Sequence, residues 1–396
     1  MDETCQPPII RLNIDLLLLI FKMNADMFAD DKALETTRFS SQVCREWRGV
    51  MLESPSLWGH LIDLDALTQR RDEWRNEVLR RSGESSLSIK SFNALFILRS
   101  LVPRSDGSLW LAEDISPWEI FFFSLIDKKW NKIERLTIRM GSHIRFPTEI
   151  LCSPAPQLQI FEVSTANSVR IEEQQGRSIF DDKAPLLHTF HSRNLTFQLS
   201  ASWIQNLRSV EMGPLFPISS VLDVLKRAPM LEDIIYTGSF GNGQSGQITP
   251  HTSSFVLGPN IRSLQIGASL SACLSLLGSV IPTHDYLLQI STSRFGLETV
   301  PLDSLSHYTE NHFHVHAPTK ITLDISKKFQ FVTRNSKGPQ FVLKVLCSDA
   351  AGREGPLGIL PALQIPVCRF VTELDLTSDQ VLREEGKLPV SAFLSL

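Results

Sequence analysis

The chain has 396 residues, 42% hydrophobic and 21% charged, with a formal net charge of -4. That length is more than one compact core usually absorbs, so two domains, or a small domain followed by an elongated array, are predicted. The near-neutral charge excludes a global pull toward nucleic acid or an anionic membrane, and a charged partner has to be met locally. The six cysteines (Cys5, Cys44, Cys152, Cys273, Cys347, Cys368) are scattered without a CxxC pair. They predict reduced thiols in a cytoplasmic or nuclear protein, and the opening MDETCQPPII lacks the basic n-region of a signal peptide.

The first predicted element is a helix over Leu12 to Phe21, LNIDLLLLIF, with Asn13 as its N-cap and Asp15 in its first turn. Beyond Asp15 it is apolar all the way round, so about two turns must be covered on every side. A short segment near a terminus is not covered by a small domain of its own, and a partner's surface is the expected cover; the competing reading is a helix buried in the main core. A second helix is predicted over 39–51, where Phe39, Val43, Cys44, Trp47, Val50 and Met51 fall within about 140° of arc at 100° per residue. Ser54-Pro55 stops it, and Leu57-Trp58 follows as an apolar anchor. Residues 69–81, QRRDEWRNEVLRR, carry five arginines against three acids and read as a solvated helix with one buried stripe rather than a nucleic-acid patch.

Leu12, Asp15-Leu16-Leu17, Ile20-Phe21, Ala33-Leu34, Val43-Cys44-Arg45-Glu46-Trp47-Arg48 and Pro55-Ser56-Leu57-Trp58 together resemble the F-box, a short helical module. One departure is visible: the family's proline after the first leucine is Asn13 here, which caps a helix where proline pre-sets one. The match covers about 50 residues. It implies docking on a Skp-family adaptor and, through it, on a cullin-RING ubiquitin ligase. It also implies that Cys44, Trp47 and Trp58 are wedged into a three-helix core. The residues expected at the adaptor, or directly behind those that touch it, are Leu12, Ile14, Leu16, Leu17, Ile20, Phe21, Leu34, Val43, Trp47, Leu57 and Trp58.

Past residue 130 a loose L-x-x-L-x-L unit recurs as Ile133-Leu136-Ile138, Leu158-Phe161-Val163, Leu187-Phe190-Ser192, Leu207-Val210-Met212, Leu231-Ile234-Tyr236 and Ile261-Leu264-Ile266, with first positions 25, 29, 20, 24 and 30 residues apart. The spacing is similar to that of leucine-rich repeats, though irregular and without an asparagine column. Each unit predicts a strand whose aliphatics pack on the next unit, with a return on the outer side, giving a solenoid. Ala-Pro or Gly-Pro ahead of four units (Ala155-Pro156, Ala184-Pro185, Ala228-Pro229, Gly258-Pro259) predicts entry turns, and FPISSVLDVLKR, 216–227, predicts a return helix. LQIGASLSACLSLLGSVIP, 264–282, predicts a buried strand and packed helix rather than a membrane span. The Gly-, Ser- and Pro-rich stretches 101–118 and 238–254 read as mobile loops. Val371-Leu374-Leu376 reads as a late strand, and the apolar ending AFLSL reads as a truncated or closed C-terminus.

His312, His314 and His316 are placed on one face of a strand, the only constellation that invites a metal; without a nearby carboxylate or cysteine it reads as a polar strand face. GxSxG, P-loop and HExxH motifs do not occur, and the glycine-dense stretch 238–246, which holds GNGQSG, lacks the Lys-Ser/Thr ending and the following helix pattern that phosphate cradling needs. The expectation is therefore an α+β or α/β chain that is not an enzyme and needs no cofactor. It comprises an F-box module over 8–60, a helical linker and start of the array over 61–130, and an irregular leucine-rich-repeat-like solenoid over 131–396 that recruits an unknown protein target. The alternatives are a scaffold that binds the adaptor without degrading a target, and a metal-binding enzyme built on the three histidines.

Overall fold

A computed structural model describes residues 12–68, 72–93, 101–103, 109–111, 117–141, 146–166, 168, 178–238, 255–281, 286–293, 302–315, 317–325, 329–335, 338–346, 363 and 371–378. Two compact units are present: 1–192 with 201–203, and 193–200 with 204–396.

The first unit opens with four helices, α1 (Ile14–Asn24), α2 (Ala33–Ser40), α3 (Arg45–Leu52) and α4 (Pro55–Gly59). Strand β1 (Ile62–Asp63), α5 (Glu73–Ser82) and β2 (Leu87–Ser91) follow. An antiparallel pair β3 (Leu101–Pro103) and β4 (Leu109–Leu111) precedes α6 (Pro117–Lys129), β5 (Ile133–Met140), α7 (Thr148–Leu151), β6 (Ile160–Thr165) and β7 (Thr189–Ser192). The second unit holds β8 (Ser209–Met212), α8 (Ser219–Arg227), β9 (Asp233–Thr237), β10 (Phe255–Val256), β11 (Ser263–Gly267), α9 (Leu270–Leu277), β12 (Val280–Ile281) and β13 (Leu287–Ser293). It closes with α10 (Leu302–Val315), β14 (Lys320–Ile325), β15 (Phe329–Asn335), β16 (Gly338–Leu346) and β17 (Glu373–Ser378).

These strands correct the expected fold class. Instead of a separate helical module followed by a solenoid, the chain is an α/β fold around one mostly parallel sheet of 13 strands, ordered β1-β2-β5-β6-β7-β8-β9-β11-β13-β16-β15-β14-β17. The physical reason at the N-terminus is that the helices are tied directly to the sheet rather than standing apart from it. Lys90 of β2, nearly fully buried, donates to the Met27 carbonyl at 2.6 Å and to Asp31 at 2.5 Å, and the Arg135 guanidinium of β5 lies 3.4 Å from the Phe28 ring centre. At the end of α4 a Cβ on Gly59 would overlap the Ser86 carbonyl leading into β2, so only glycine allows that approach. Further along, the sheet turns antiparallel through β16, β15 and β14, which no stacking of like units produces.

The six aliphatic units do form parallel strands, because residues at their fourth and sixth positions line up in rows. In the first unit Leu136, Phe161 and Phe190 are in register, and the rings of Phe161 and Phe190 stack at 5.3 Å. In the second, Val210, Ile234, Leu264, Leu288 and Phe341 form one row, at most 1% exposed. Each predicted entry turn closes with an amide three residues on: Leu158 on Ala155, Leu187 on Ala184 and Leu231 on Ala228 at 3.2 Å, Ile261 on Gly258 at 3.3 Å. The return helix over 216–227 is α8, and the strand and packed helix over 264–282 are β11 and α9, the latter capped by Ser269. Val371 leads into β17, which carries Leu374 and Leu376. Of the stretch 101–118, only β3, β4 and the start of α6 are described; nearly all of 238–254, and AFLSL, lie outside the described residues.

Three local expectations change. The helix over 39–51 is broken, since Cys44 adopts an extended backbone (φ -151, ψ 170) and its Sγ accepts the Trp47 amide at 3.5 Å, capping α3. Cys44 is therefore exposed rather than in an apolar core, and Val43 swings outward. His312 and His314 belong to helix α10, where two residues span about 200°, so His312 is fully buried among the rings of Tyr286, Tyr308, Phe313 and Phe341 while His314 is exposed; His316 lies outside the described residues. Among the described residues no helix is long and apolar enough to cross a membrane.

On α5 the arginines serve the fold. Arg75 is buried against the Leu67 carbonyl, Arg80 and Arg81 pair with Glu77, and the Arg81 guanidinium covers the Trp58 ring at 4.4 Å. Gly83 ends the helix with φ +52. Burial pushes the Asp63 carboxyl above its ordinary value of 3.8, and Lys90 Nζ stands 3.8 Å from it. Lys90→Met is expected to lower the free energy of unfolding by about 3 kcal/mol, because the buried Asp63 loses its counter-charge; denaturant titration of the variant measures this.

Candidate functional site

The candidate site is the outer side of α1. The Asn13 side chain accepts the Asp15 amide at 3.2 Å and the Asn13 carbonyl accepts the Leu17 amide at 3.0 Å, fixing the helix start. Leu17 and Phe21, each 3% exposed, face inward, and Phe21 meets the Trp47 ring edge-on at 5.0 Å. Taking 100° per residue, Leu16, Leu19, Ile20 and Met23 share an arc of about 100° centred some 130° from Leu17 and Phe21. Their exposures are 51%, 54%, 37% and 72%, and Ile14 at the helix start is 56% exposed. Full burial of such a side chain is worth about 1.5–3 kcal/mol, so the stripe leaves on the order of a few kcal/mol of apolar burial unrealised. Phe39 at the end of α2 and Val43 in the turn before α3 are exposed as well, at 52% and 64%.

The structure divides the residues expected at the adaptor. Ile14, Leu16, Ile20 and Val43 are exposed; Leu12 and Trp47 are half-buried; Leu17, Phe21, Leu34, Leu57 and Trp58 are buried and support the others from behind. Trp58 is anchored by its indole N–H on the Met51 carbonyl at 2.8 Å. Sequence reasoning missed Leu19, Met23 and Phe39. For the first two the signal was present, since 16, 19, 20 and 23 follow the i, i+3, i+4, i+7 rule of one helix face.

A second candidate is a polar row of the first unit's strands, where Asp63, Lys90, Thr137, Glu162 and His191 are in register, the first three buried and the last two half-buried. Glu162 Oε1 stands 3.5 Å from His191 Nδ1, while Oε2 accepts from Thr137 Oγ1 at 2.8 Å and Arg135 Nη2 at 3.5 Å. These partners, His191 foremost, hold its carboxyl at about 2 against an ordinary 4.5. No group of three or more His, Cys, Asp or Glu able to hold a metal ion occurs among the described residues.

Comparison of the chain with models of known families, with curated proteins and with solved structures finds no match.

A carboxyl held below its unfolded value stabilises the fold above that value and ceases to do so as pH falls through the folded value. Glu162→Gln is therefore expected to cost about 1–2 kcal/mol at pH 7. The gap between variant and parent should close as pH is lowered from 4.5 toward 2, as followed by urea unfolding at stepped pH.

Proposed function

We propose that this chain is an F-box protein acting as the substrate-recognition subunit of an SCF-type, cullin-based ubiquitin ligase. The Skp-family adaptor docks on the outer stripe of α1, and a protein target is gathered elsewhere on the chain. The observation that carries this reading is the exposure of Leu16, Leu19, Ile20 and Met23 on one side of a helix whose other side is fully packed. A contiguous apolar face on a rigid, capped helix suits helix-in-groove recognition, in which anchors at i, i+3, i+4 and i+7 enter a partner's apolar groove. The order of residues from Leu12 to Trp58 that resembles the F-box supports the identity of that partner. The chain's contribution to ubiquitin transfer is proximity: holding a target beside the charged carrier raises its effective concentration.

The test uses Leu16→Asp/Ile20→Asp, both on the outer stripe. Co-purification with a recombinant Skp-family adaptor is expected to fall at least about tenfold, while the thermal midpoint moves by less than about 2 °C, as for surface substitutions. Leu17→Ala, on the packed side, is expected instead to cost about 2–5 kcal/mol of stability. Undiminished co-purification of the outer-stripe variant overturns the proposal.

A further inference from the structure

Helices α2, α3 and α5 flank a half-open pocket of about 240 Å³ lined by Arg38, Ser41, Gln42, Arg48, Leu52, Trp74 and Arg81. Three guanidinium groups around one pocket repel one another unless something offsets them. Arg81 is offset, because its Nε donates to Glu77 Oε1 at 2.7 Å. The same carboxylate also receives Arg80 at 2.7 and 2.8 Å, so its single negative charge is already shared by two guanidiniums. Arg38 and Arg48 form no ion pair among the described residues, although Glu35 and Glu46 lie on the same two helices.

The two unpaired guanidiniums do not sit alike. Both are exposed, Arg38 on α2 and Arg48 on α3, but among the described residues only the Arg38 guanidinium carbon stands near a ring, 5.8 Å from the Trp74 ring centre. That ring also carries Arg81 at 5.6 Å, and Trp58 packs edge-on against it at 6.2 Å. One indole thus holds two planar cations, and a guanidinium stacked on a ring keeps its edge N–H groups free to donate. The Ser41 hydroxyl is already given to the Arg38 carbonyl at 2.7 Å, so it orders the rim.

We propose that this pocket binds a phosphate monoester, free or carried on a phosphorylated side chain, with Arg38 and Arg48 as the charge-bearing donors and the stacked Arg81 and Trp74 as its wall. Two cations without counter-charges match the near-dianionic charge of a monoester at neutral pH, where a carboxylate neutralises only one. The guanidinium fork also matches phosphate oxygens two at a time. At ~30 Å³ per water the pocket has room for about eight waters, enough for a phosphoryl group and the first atoms of its ester. The site shares no residue with the α1 stripe and stands independently of the adaptor reading.

Isothermal titration of the full chain at matched ionic strength tests this with inorganic phosphate, glycerol 2-phosphate, and a capped phosphoserine peptide beside its unphosphorylated form. Saturable one-to-one binding of phosphate is expected, lost by at least about tenfold in Arg38→Gln/Arg48→Gln, as for charge-assisted bidentate pairs. If the double variant does not melt cooperatively, Arg48→Lys, which keeps the charge without the fork, is expected to weaken binding in the same direction. Tighter binding of the phosphopeptide than of glycerol 2-phosphate assigns the ligand to a modified side chain; the reverse assigns it to a free ester. No saturable heat, or equal binding by parent and variants, overturns the proposal.

Discussion

Beyond Asp15, α1 is apolar around most of its circumference, yet the chain covers only the arc that holds Leu17 and Phe21. The packed side is what permits the open one. Phe21 on Trp47, the Asn13 cap and the buried Leu34 hold the helix at a fixed height and rotation, so Leu16, Leu19, Ile20 and Met23 are presented as a rigid stripe rather than collapsing inward. An apolar face held this way costs solubility and offers little to the fold, which is why we propose binding as its use.

The rigidity traces back to the sheet. Lys90 reaches from β2 to the Met27 carbonyl and Asp31, tying the segment after α1 to a strand interior. Gly59 lets the end of α4 lie against the backbone entering β2. The same strands carry the row through Lys90, Thr137 and Glu162, so one ladder serves both to anchor the helices and to order a largely buried polar row. In the second unit, rows such as Val210 to Phe341 do the corresponding work with aliphatic and aromatic packing alone.

Much of this was legible residue by residue. The L-x-x-L-x-L columns marked strands because a parallel strand buried on one side needs aliphatics at alternate positions, and the Ala-Pro turns marked their entrances because proline pre-sets the first turn residue. Two things were hidden for physical reasons. A thiol seldom caps a helix, so nothing in Ser41-Gln42-Val43-Cys44 announced that the apolar period of 39–51 would break, exposing Val43 and Cys44. Alternating histidines fit a strand by period two, but in α10 the packing of His312 with Tyr308 and Phe341 decides the outcome, and periodicity does not see such contacts. The joining of strands into one continuous sheet, including the antiparallel β14 to β16, depends on pairings between distant segments that no local pattern encodes. In the candidate site the pattern found the helix and its capping residue but not which side would face out, because that is set by Trp47 from another element.

Methionine footprinting tests the central claim most directly, since Met23 on the stripe is 72% exposed and Met27, four residues on, is 1% exposed. With a saturating Skp-family adaptor present, oxidation of Met23 should be strongly suppressed relative to the chain alone, with Met27 slow in both. Equal oxidation of Met23 with and without the adaptor would contradict the account.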